Sequence, residues 1–455
     1  LLAEWWRNWS RRGGVLFGMD WTGTDSQRAT EFTLYLPRTK REIQLEQANL
    51  PSCADALTSS MALWKSKLPD VGTTIFTEMS AKAHEFGALN MSQGFPDFNP
   101  PRALREMVYQ AMMDGHNQYA PMPGNLKLRE WIATDVKRRT QHECSPISEI
   151  TIGAGASSLI FAAIQTLVHS GDEVIVLAPC YDLYEPAVRL AGGDLRVVPL
   201  KQDDFHLDLD ALGKALSRKT RLIIVNIPNN PTGATWTMDE LDDLAALLSD
   251  SNALILSDEV YGPMHYDRKP ALSILHQHEL RERSIVTASF GKILHATGWK
   301  IGYLIAPMHW TQEIRKVHQY DVFSTGAPFQ EGIARFLASS DGETHLEGLA
   351  GFYQEKRDRL LAGLTGSSWS FTPAEAGYFQ VLDYSSFDDR DDRAVTHNWC
   401  AQSKGQGIAL IPLSPFYPAT DAEQKKPKQV RVCFAKNDTT LDEGIERLLQ
   451  VPQMK

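Results

Sequence analysis

From about residue 150 the chain alternates between short β-branched apolar runs and longer segments whose apolar residues recur at helical spacing. The runs are Ile150–Ile152, Val174–Leu177, Leu195–Val198, Leu222–Val225, Leu254–Leu256, Ile285–Thr287 and Ile301–Ile305, which makes seven predicted strands. Between them, Ser157–His169 and Met238–Leu248 carry the period of amphipathic helices. Alternation of this kind predicts an α/β domain in which a mostly parallel sheet is covered by helices on both faces.

After about residue 340 the pattern changes. A long charged helix is predicted over Leu346–Leu364, then strands over Gly377–Leu382 and Val430–Phe434, and a last helix from Leu441. This reads as a smaller α+β domain that also recruits the stretch around residues 66–115. The expected boundaries are an N-terminal segment of the small domain at 61–115, the large domain at 116–340 and the rest of the small domain at 341–455. Residues 1–60 fall outside this patterning, with Trp5-Trp6, Trp9 and Arg11-Arg12. They are expected to be an atypical extension and a candidate for disorder. Globular patterning begins near Lys67-Leu68-Pro69-Asp70. The polar, lysine-bearing stretch Pro418–Gln429 is expected to be a mobile surface excursion.

Composition narrows the class of function. At 455 residues the chain is long enough for a large domain and a smaller one. A net charge of -10 argues against a nucleic-acid binder, which needs a basic face to neutralise phosphates. The five cysteines are scattered and contain no Cys-x-x-Cys pair, so neither a disulfide framework nor a zinc site is expected, and a cytoplasmic setting fits. No His-Glu-x-x-His spacing occurs and no metal is expected. No apolar run approaches the roughly 18 residues of a membrane helix.

The candidate chemistry lies at the ends of the predicted strands. Lys292, in Ser289-Phe290-Gly291-Lys292, and Asp258, in Ser257-Asp258-Glu259-Val260-Tyr261, each follow an apolar run, so both are expected at the carboxyl ends of neighbouring strands, where open α/β sheets bind ligands. Asn229-Asn230-Pro231-Thr232-Gly233 follows a third strand and reads as a tight turn. An amine, a carboxylate, a phenol and an amide in this arrangement are what a pyridoxal phosphate ring requires. Asp258 would pair with a protonated ring nitrogen and strengthen the ring as an electron sink, although Asp after a strand also serves as a turn cap. Tyr261 and Asn230 could reach the phenolic oxygen, or be a packed aromatic and a turn residue. Gly153-Ala154-Gly155-Ala156-Ser157-Ser158 offers a strand, small residues and then helix amides for a phosphate, with Ser289 and Lys300 adding a hydroxyl and a cation. The same segment imitates a dinucleotide fingerprint, but Ser158 stands where the third glycine belongs. Tyr181 could stack on the ring or pack in the core. Arg431, in the apolar run Val430–Phe434, could bind a substrate carboxylate bidentately or form a structural ion pair.

Together these residues resemble the class I, fold-type I aminotransferases that depend on pyridoxal phosphate, and within them the kynurenine and glutamine transaminases and the bacterial methionine aminotransferases. The resemblance covers about residues 66–450. It is carried by Lys67-Leu68-Pro69 with Gly72–Phe76, Gln93–Phe98, Asn117-Gln118-Tyr119, Pro228–Pro231, Ser257–Tyr261 and Ser289–Lys292. It implies that Lys292 carries the cofactor, Asp258 meets the ring nitrogen, and Asn230 and Tyr261 meet the ring oxygen. Ala156, Ser157, Ser289 and Lys300 would hold the phosphate, with Tyr181 over the ring. Gly94, Asn230 and Arg431 would bind the substrate carboxylate. Tyr119 would reach the phosphate of a neighbouring subunit, which implies a homodimer with shared active sites. Ser157 and Ser324 depart from the residues of the animal kynurenine enzymes. The expected reaction is ping-pong transfer from a methionine-, aromatic-, glutamine- or kynurenine-type amino acid to a 2-oxo acid. The alternatives are β-elimination from cysteine conjugates on the same site, a nicotinamide dehydrogenase, and a non-catalytic ligand-binding protein on this scaffold.

Overall fold

The computed structural model describes residues 65–403, 405–418 and 427–453. The extension at 1–60 and most of the lysine-bearing stretch after Pro418 lie outside the described residues. All seven apolar runs form strands of one sheet. These are β2 (Ile150–Ala154), β3 (Glu173–Ala178), β4 (Asp194–Pro199), β5 (Thr220–Asn226), β6 (Leu254–Asp258), β7 (Ser284–Ser289) and β8 (Ile301–Ile305), preceded in the chain by a short β1 (Leu89–Asn90). The spatial order is β2-β8-β7-β6-β5-β3-β4, and only β8 runs against its neighbours. The fold is therefore α/β with a mostly parallel sheet.

Central strands of such a sheet are buried on both faces, which is why they read as continuous apolar runs rather than alternating ones. Every residue of β3, β6 and β8 is buried. One face packs on the helices Gly155–Leu167 and Tyr184–Ala191 through Leu159, Ile164, Val174 and Ile224. The other joins a larger core that continues through Ile132, Tyr303, Phe336 and Leu364.

Beyond residue 364 the chain adds β9 (Phe379–Asp383), β10 (Ile408–Ala409), β11 (Ile411–Pro412) and β12 (Gln429–Cys433). β12 lies between β11 and β9, antiparallel to both, while β1 pairs in parallel with β10. The long charged helix begins at Ser340 rather than Leu346. Ser339 caps it by accepting from the Gly342 amide, and Asp341 and Glu343 complement the dipole of the first turn. The N-terminal segment divides its contacts. Helix Ile75–Phe86 packs with Ala409, Ile411 and Phe416, whereas Arg102–Met113 packs on helix Ala327–Leu337, where Gly332 admits Val108.

One polar cluster ties the segment before β9 to the large sheet. His206 Nδ1 meets Glu240 at 3.0 Å and its Nε2 lies 3.6 Å from Glu375. Glu375 also accepts from Lys269 and from the Thr235 amide, and the Glu375 and Ala376 amides both donate to Gly233 O. Hydrogen bonding of the His206 ring to the Glu240 and Glu375 carboxylates raises its pKa to about 10. Its folded-state value is above the unfolded one, so the stabilisation is complete below pH about 6.5 and is lost as pH rises through about 10. His206→Gln is thus expected to lower the melting temperature clearly at pH 6 and very little at pH 10.5. Equal losses at both values, measured by calorimetry, would discount the cluster.

Candidate active site

The register of three adjacent strands sets the site. Asn226 at the end of β5 pairs with Asp258 at the end of β6, and Asp258 pairs with Thr287 of β7. Asn226 and Asp258 thus emerge side by side at the carboxyl ends of these strands and both line the cavity, whereas Thr287 stays buried. Lys292 is not itself at a strand end; it lies on the short helix Phe290–Ile293 that follows β7.

Asp258 is buried, and that burial pushes its carboxyl up to about 6 against the opposing pull of Tyr184, the Val260 amide and Lys292. Burial, with the Arg431 and Lys300 charges, lowers the Lys292 amine to about 8. Lys292 Nζ donates to Gly94 O at 3.0 Å and stands 5.7 Å and 5.4 Å from the ring centroids of Tyr261 and Tyr378. The Tyr378 hydroxyl donates to the same Gly94 carbonyl at 2.7 Å.

The start of helix Gly155–Leu167 lines the cavity at Gly155, Ala156 and Ser157. Its N-cap, Ala154, has no side chain to cap the first amides, which are therefore left for a ligand. Gly155 has φ +73°, and a Cβ placed there would lie 3.3 Å from Lys300 Nζ. Gly302 of β8 permits the approach of this turn, because a Cβ at 302 would sit 2.6 Å from the Ala156 amide nitrogen and 2.7 Å from Ala288 O. Ser157, Ser289 and Lys300 line the same space.

Arg431 supplies the opposite end. It is 1% exposed, a cost that a guanidinium bears only with partners. Nη1 donates to Asn230 Oδ1 at 2.7 Å and Nη2 to Ser92 O at 2.9 Å, while the buried Nε has no partner among the described residues. The Phe379 ring stacks against it at 3.9 Å from Cζ. Burial lowers its pKa to about 10, so it stays charged at neutral pH.

These groups enclose one cavity of about 340 Å³, lined by Gly94, Ala156, Ser157, Tyr181, Asn230, Asp258, Tyr261, Ser289, Lys292, Lys300 and Arg431. Of the site residues expected from sequence, Tyr119 alone is not in it. Tyr119 is 84% exposed, with its ring edge on Phe323 at 5.5 Å. A larger cavity of about 640 Å³, beneath helix Leu126–Thr140 on the reverse of the sheet, shares only Val260 and Ser289 with it.

Four functional neighbours were missed in the sequence. Tyr184 donates to Asp258 Oδ2 at 2.8 Å, and Asn226 holds both the Asp258 carbonyl (2.7 Å) and the Asn230 amide (2.7 Å). Position 184 follows Tyr181 by one helical turn, and Asn226 closes its strand as Asp258 does, so both left a signal. Tyr378 and Phe379 left none, since an aromatic pair entering a strand reads as core.

Residues 87–448 match the family model for aminotransferases of class I and II. The chain is 41% identical over 395 residues to the methionine aminotransferase of Escherichia coli, covering 87% of this chain and all of that one. It is 32% identical to the kynurenine–oxoglutarate transaminase of Dictyostelium discoideum over 84% of this chain and 94% of the relative. Among solved structures, an Escherichia coli protein identified with a methionine aminotransferase function superposes with a TM-score of 0.81 at 41% identity, over 85% of this chain and 99% of that one. The chain belongs to the class I and II aminotransferases, and it is an enzyme of pyridoxal-phosphate-dependent amino transfer.

A lysine at about 8 titrates far from an exposed one. In the cofactor-free protein, acylation of Lys292 read by peptide mass spectrometry should be half-maximal near pH 8. A midpoint near the usual lysine value of about 10.4 would contradict the buried geometry.

Proposed function

We propose that this cavity binds pyridoxal phosphate and transfers the amino group of an amino acid with a sizeable, uncharged side chain, of the methionine, aromatic, glutamine or kynurenine type, to a 2-oxo acid. The observation that carries this reading is the presence of Lys292, Asp258 and Arg431 around one buried space with an uncapped helix start at its far end. The donor set fits the coenzyme part by part. Lys292 would hold its aldehyde carbon, Asp258 its ring nitrogen, and Tyr261 with the free NH2 of Asn230 its ring oxygen. Tyr181 would cover its face, and Ala156, Ser157, Ser289 and Lys300 would hold its phosphate. When bound, the coenzyme supplies an electron sink for the substrate α-carbon.

The protein does the rest. Arg431 and Asn230, with Gly94, fix the substrate carboxylate and so orient the α-carbon toward Lys292. Displaced by the substrate amine, the Lys292 amine would take the α-proton and deliver it to the carbon on the other side of the shared nitrogen, as general base and then acid. Its value of about 8 keeps both forms accessible near neutrality. Phe76, Phe95 and Phe379 line the cavity, so an apolar or aromatic side chain of the amino donor would meet aromatic rings. The methionine and kynurenine enzymes among its relatives are consistent with that class.

The active form is proposed to be a homodimer in which Tyr119 completes the partner's phosphate site. Tyr119 and Phe323, at 84% and 48% exposure, are large aromatics presented to solvent beside each other. The described cysteines Cys144, Cys180, Cys400 and Cys433 are free, which suits the reducing cytoplasm. Among the described residues no helix is long and apolar enough to cross a membrane.

Lys292→Ala should lower turnover by at least about 10⁴-fold and abolish the borohydride-trapped adduct. Arg431→Gln should raise the amino-acid KM about 100-fold with a smaller change in kcat. Wild-type initial rates against both substrates should give parallel double-reciprocal lines; intersecting lines, or protein that stays colourless with added coenzyme, would sink the reading. Light scattering should give a dimer, and Tyr119→Phe should weaken coenzyme binding without dissociating it; a fully active monomer would contradict the shared site.

A further inference from the structure

The two oxygens of the Asp258 carboxylate have different surroundings. Oδ2 accepts a 2.8 Å hydrogen bond from the Tyr184 hydroxyl, whereas Oδ1 is met only by the Val260 amide at a long 3.4 Å. Asp258 lines the cavity; Tyr184 does not, and lies behind it at 1% exposure. We propose that Tyr184 is the positioning residue of the ring-binding acid: its hydroxyl locks Oδ2, turns Oδ1 toward the cavity, and keeps the acid ionised so that the proton of the bound ring stays on the ring nitrogen. This rests on the reading of the cavity as a pyridoxal phosphate site.

Packing alone does not account for the hydroxyl. The Tyr184 ring sits in the apolar cluster with Ala163, Leu256 and Cys180, where phenylalanine would fill the same volume. A phenol buried there is tolerated only if it finds an acceptor, and here the acceptor is a buried carboxylate that itself needs a donor. The helix Tyr184–Ala191 begins at this residue, with Tyr181 one turn earlier and its ring edge-on at 5.8 Å. One turn of chain therefore carries both the residue over the ring face and the residue behind the acid. The Asp258 main chain is pinned as well, its carbonyl accepting from Asn226 at 2.7 Å, so the carboxylate has little freedom except the rotation that Tyr184 stops.

Burial drives the acid toward its neutral form, and hydrogen bonding from Tyr184 is the largest opposing effect. Without the hydroxyl, one proton would leave the ring nitrogen for Asp258 Oδ1, and no other bond would change. A ring without that proton withdraws electrons less well from the substrate, which slows the proton-transfer step but leaves carboxylate binding at Arg431 intact.

The test is Tyr184→Phe in holoenzyme loaded with ¹⁵N-ring-labelled pyridoxal phosphate. Wild type should show a protonated ring nitrogen from about pH 6 to 9, while Tyr184→Phe should shift toward the neutral pyridine signal within that range. The expected accompaniments are a coenzyme dissociation constant raised about tenfold and a kcat lowered about tenfold, with the amino-acid KM within about threefold of wild type. In an Asp258→Asn background the Tyr184→Phe change should move neither signal nor kcat further. An unchanged nitrogen signal in loaded Tyr184→Phe overturns the proposal, even if activity falls in step with melting temperature. If the phenylalanine protein does not fold, Tyr184→Met carries the same comparison. Wild-type protein that takes up no coenzyme overturns the reading of the cavity itself, whereas a loaded wild type and an indistinguishable variant overturn only the role of Tyr184.

Discussion

The site depends on holding an acid and an amine out of water at the edge of one sheet. Asp258 and Lys292 are placed by the parallel pairing of β6 with β7, and desolvation then moves the carboxyl up to about 6 and the amine down to about 8. Neither group would be tolerated in an apolar layer without neighbours that satisfy it. The Tyr184 hydroxyl, the Asn226 amide and the Gly94 carbonyl meet that demand, so much of the polar structure around the cavity follows from these two burials. The glycine at 302 is a further consequence, because the helix that ends the cavity must come within van der Waals contact of β8.

The second organising group is Arg431, which faces the large sheet from the central strand of the small one. Its two donated hydrogen bonds go to Asn230, on the turn after β5, and to Ser92, on the segment after β1. The turn that carries Asn230 is in turn gripped at Gly233 and Thr235 by the residues just before β9, and the His206–Glu240–Glu375 cluster fastens that grip. Arg431 and Asn230, proposed to meet substrate and coenzyme, thus also belong to the junction between the two sheets. A binding site placed there is sensitive to how the two parts of the chain meet.

Much of this was legible in the sequence, for physical reasons. Buried parallel strands must be apolar along their whole length, so seven β-branched runs announced seven strands, and residues that end such runs must lie at the sheet edge. Asp258, Asn230 and Lys292 were placed that way, and Lys292 falls on the short helix just past β7 rather than at the strand end itself. The helix beginning at Ser340 was set short because capping by Ser339 extends it past its apolar period. Tyr378 and Phe379 could not be read, since the bond of one to Gly94 and the place of the other in the cavity come from tertiary folding and not from a local pattern. Tyr119 illustrates the converse: a residue assigned by resemblance to a shared site has no counterpart within a single chain, where it is mostly exposed.

The position of β12 carries a consequence for the order in which the enzyme comes into being. Cavity-lining residues from 156 to 300 precede it by more than a hundred positions, yet Arg431, which lines the same cavity, lies on this strand. During synthesis on a ribosome the large sheet and Lys292 can therefore assemble before β12 has emerged. Until β12 pairs with β9 and β11 the pocket would lack the guanidinium that lines it, so the large sheet could form before its cavity is complete.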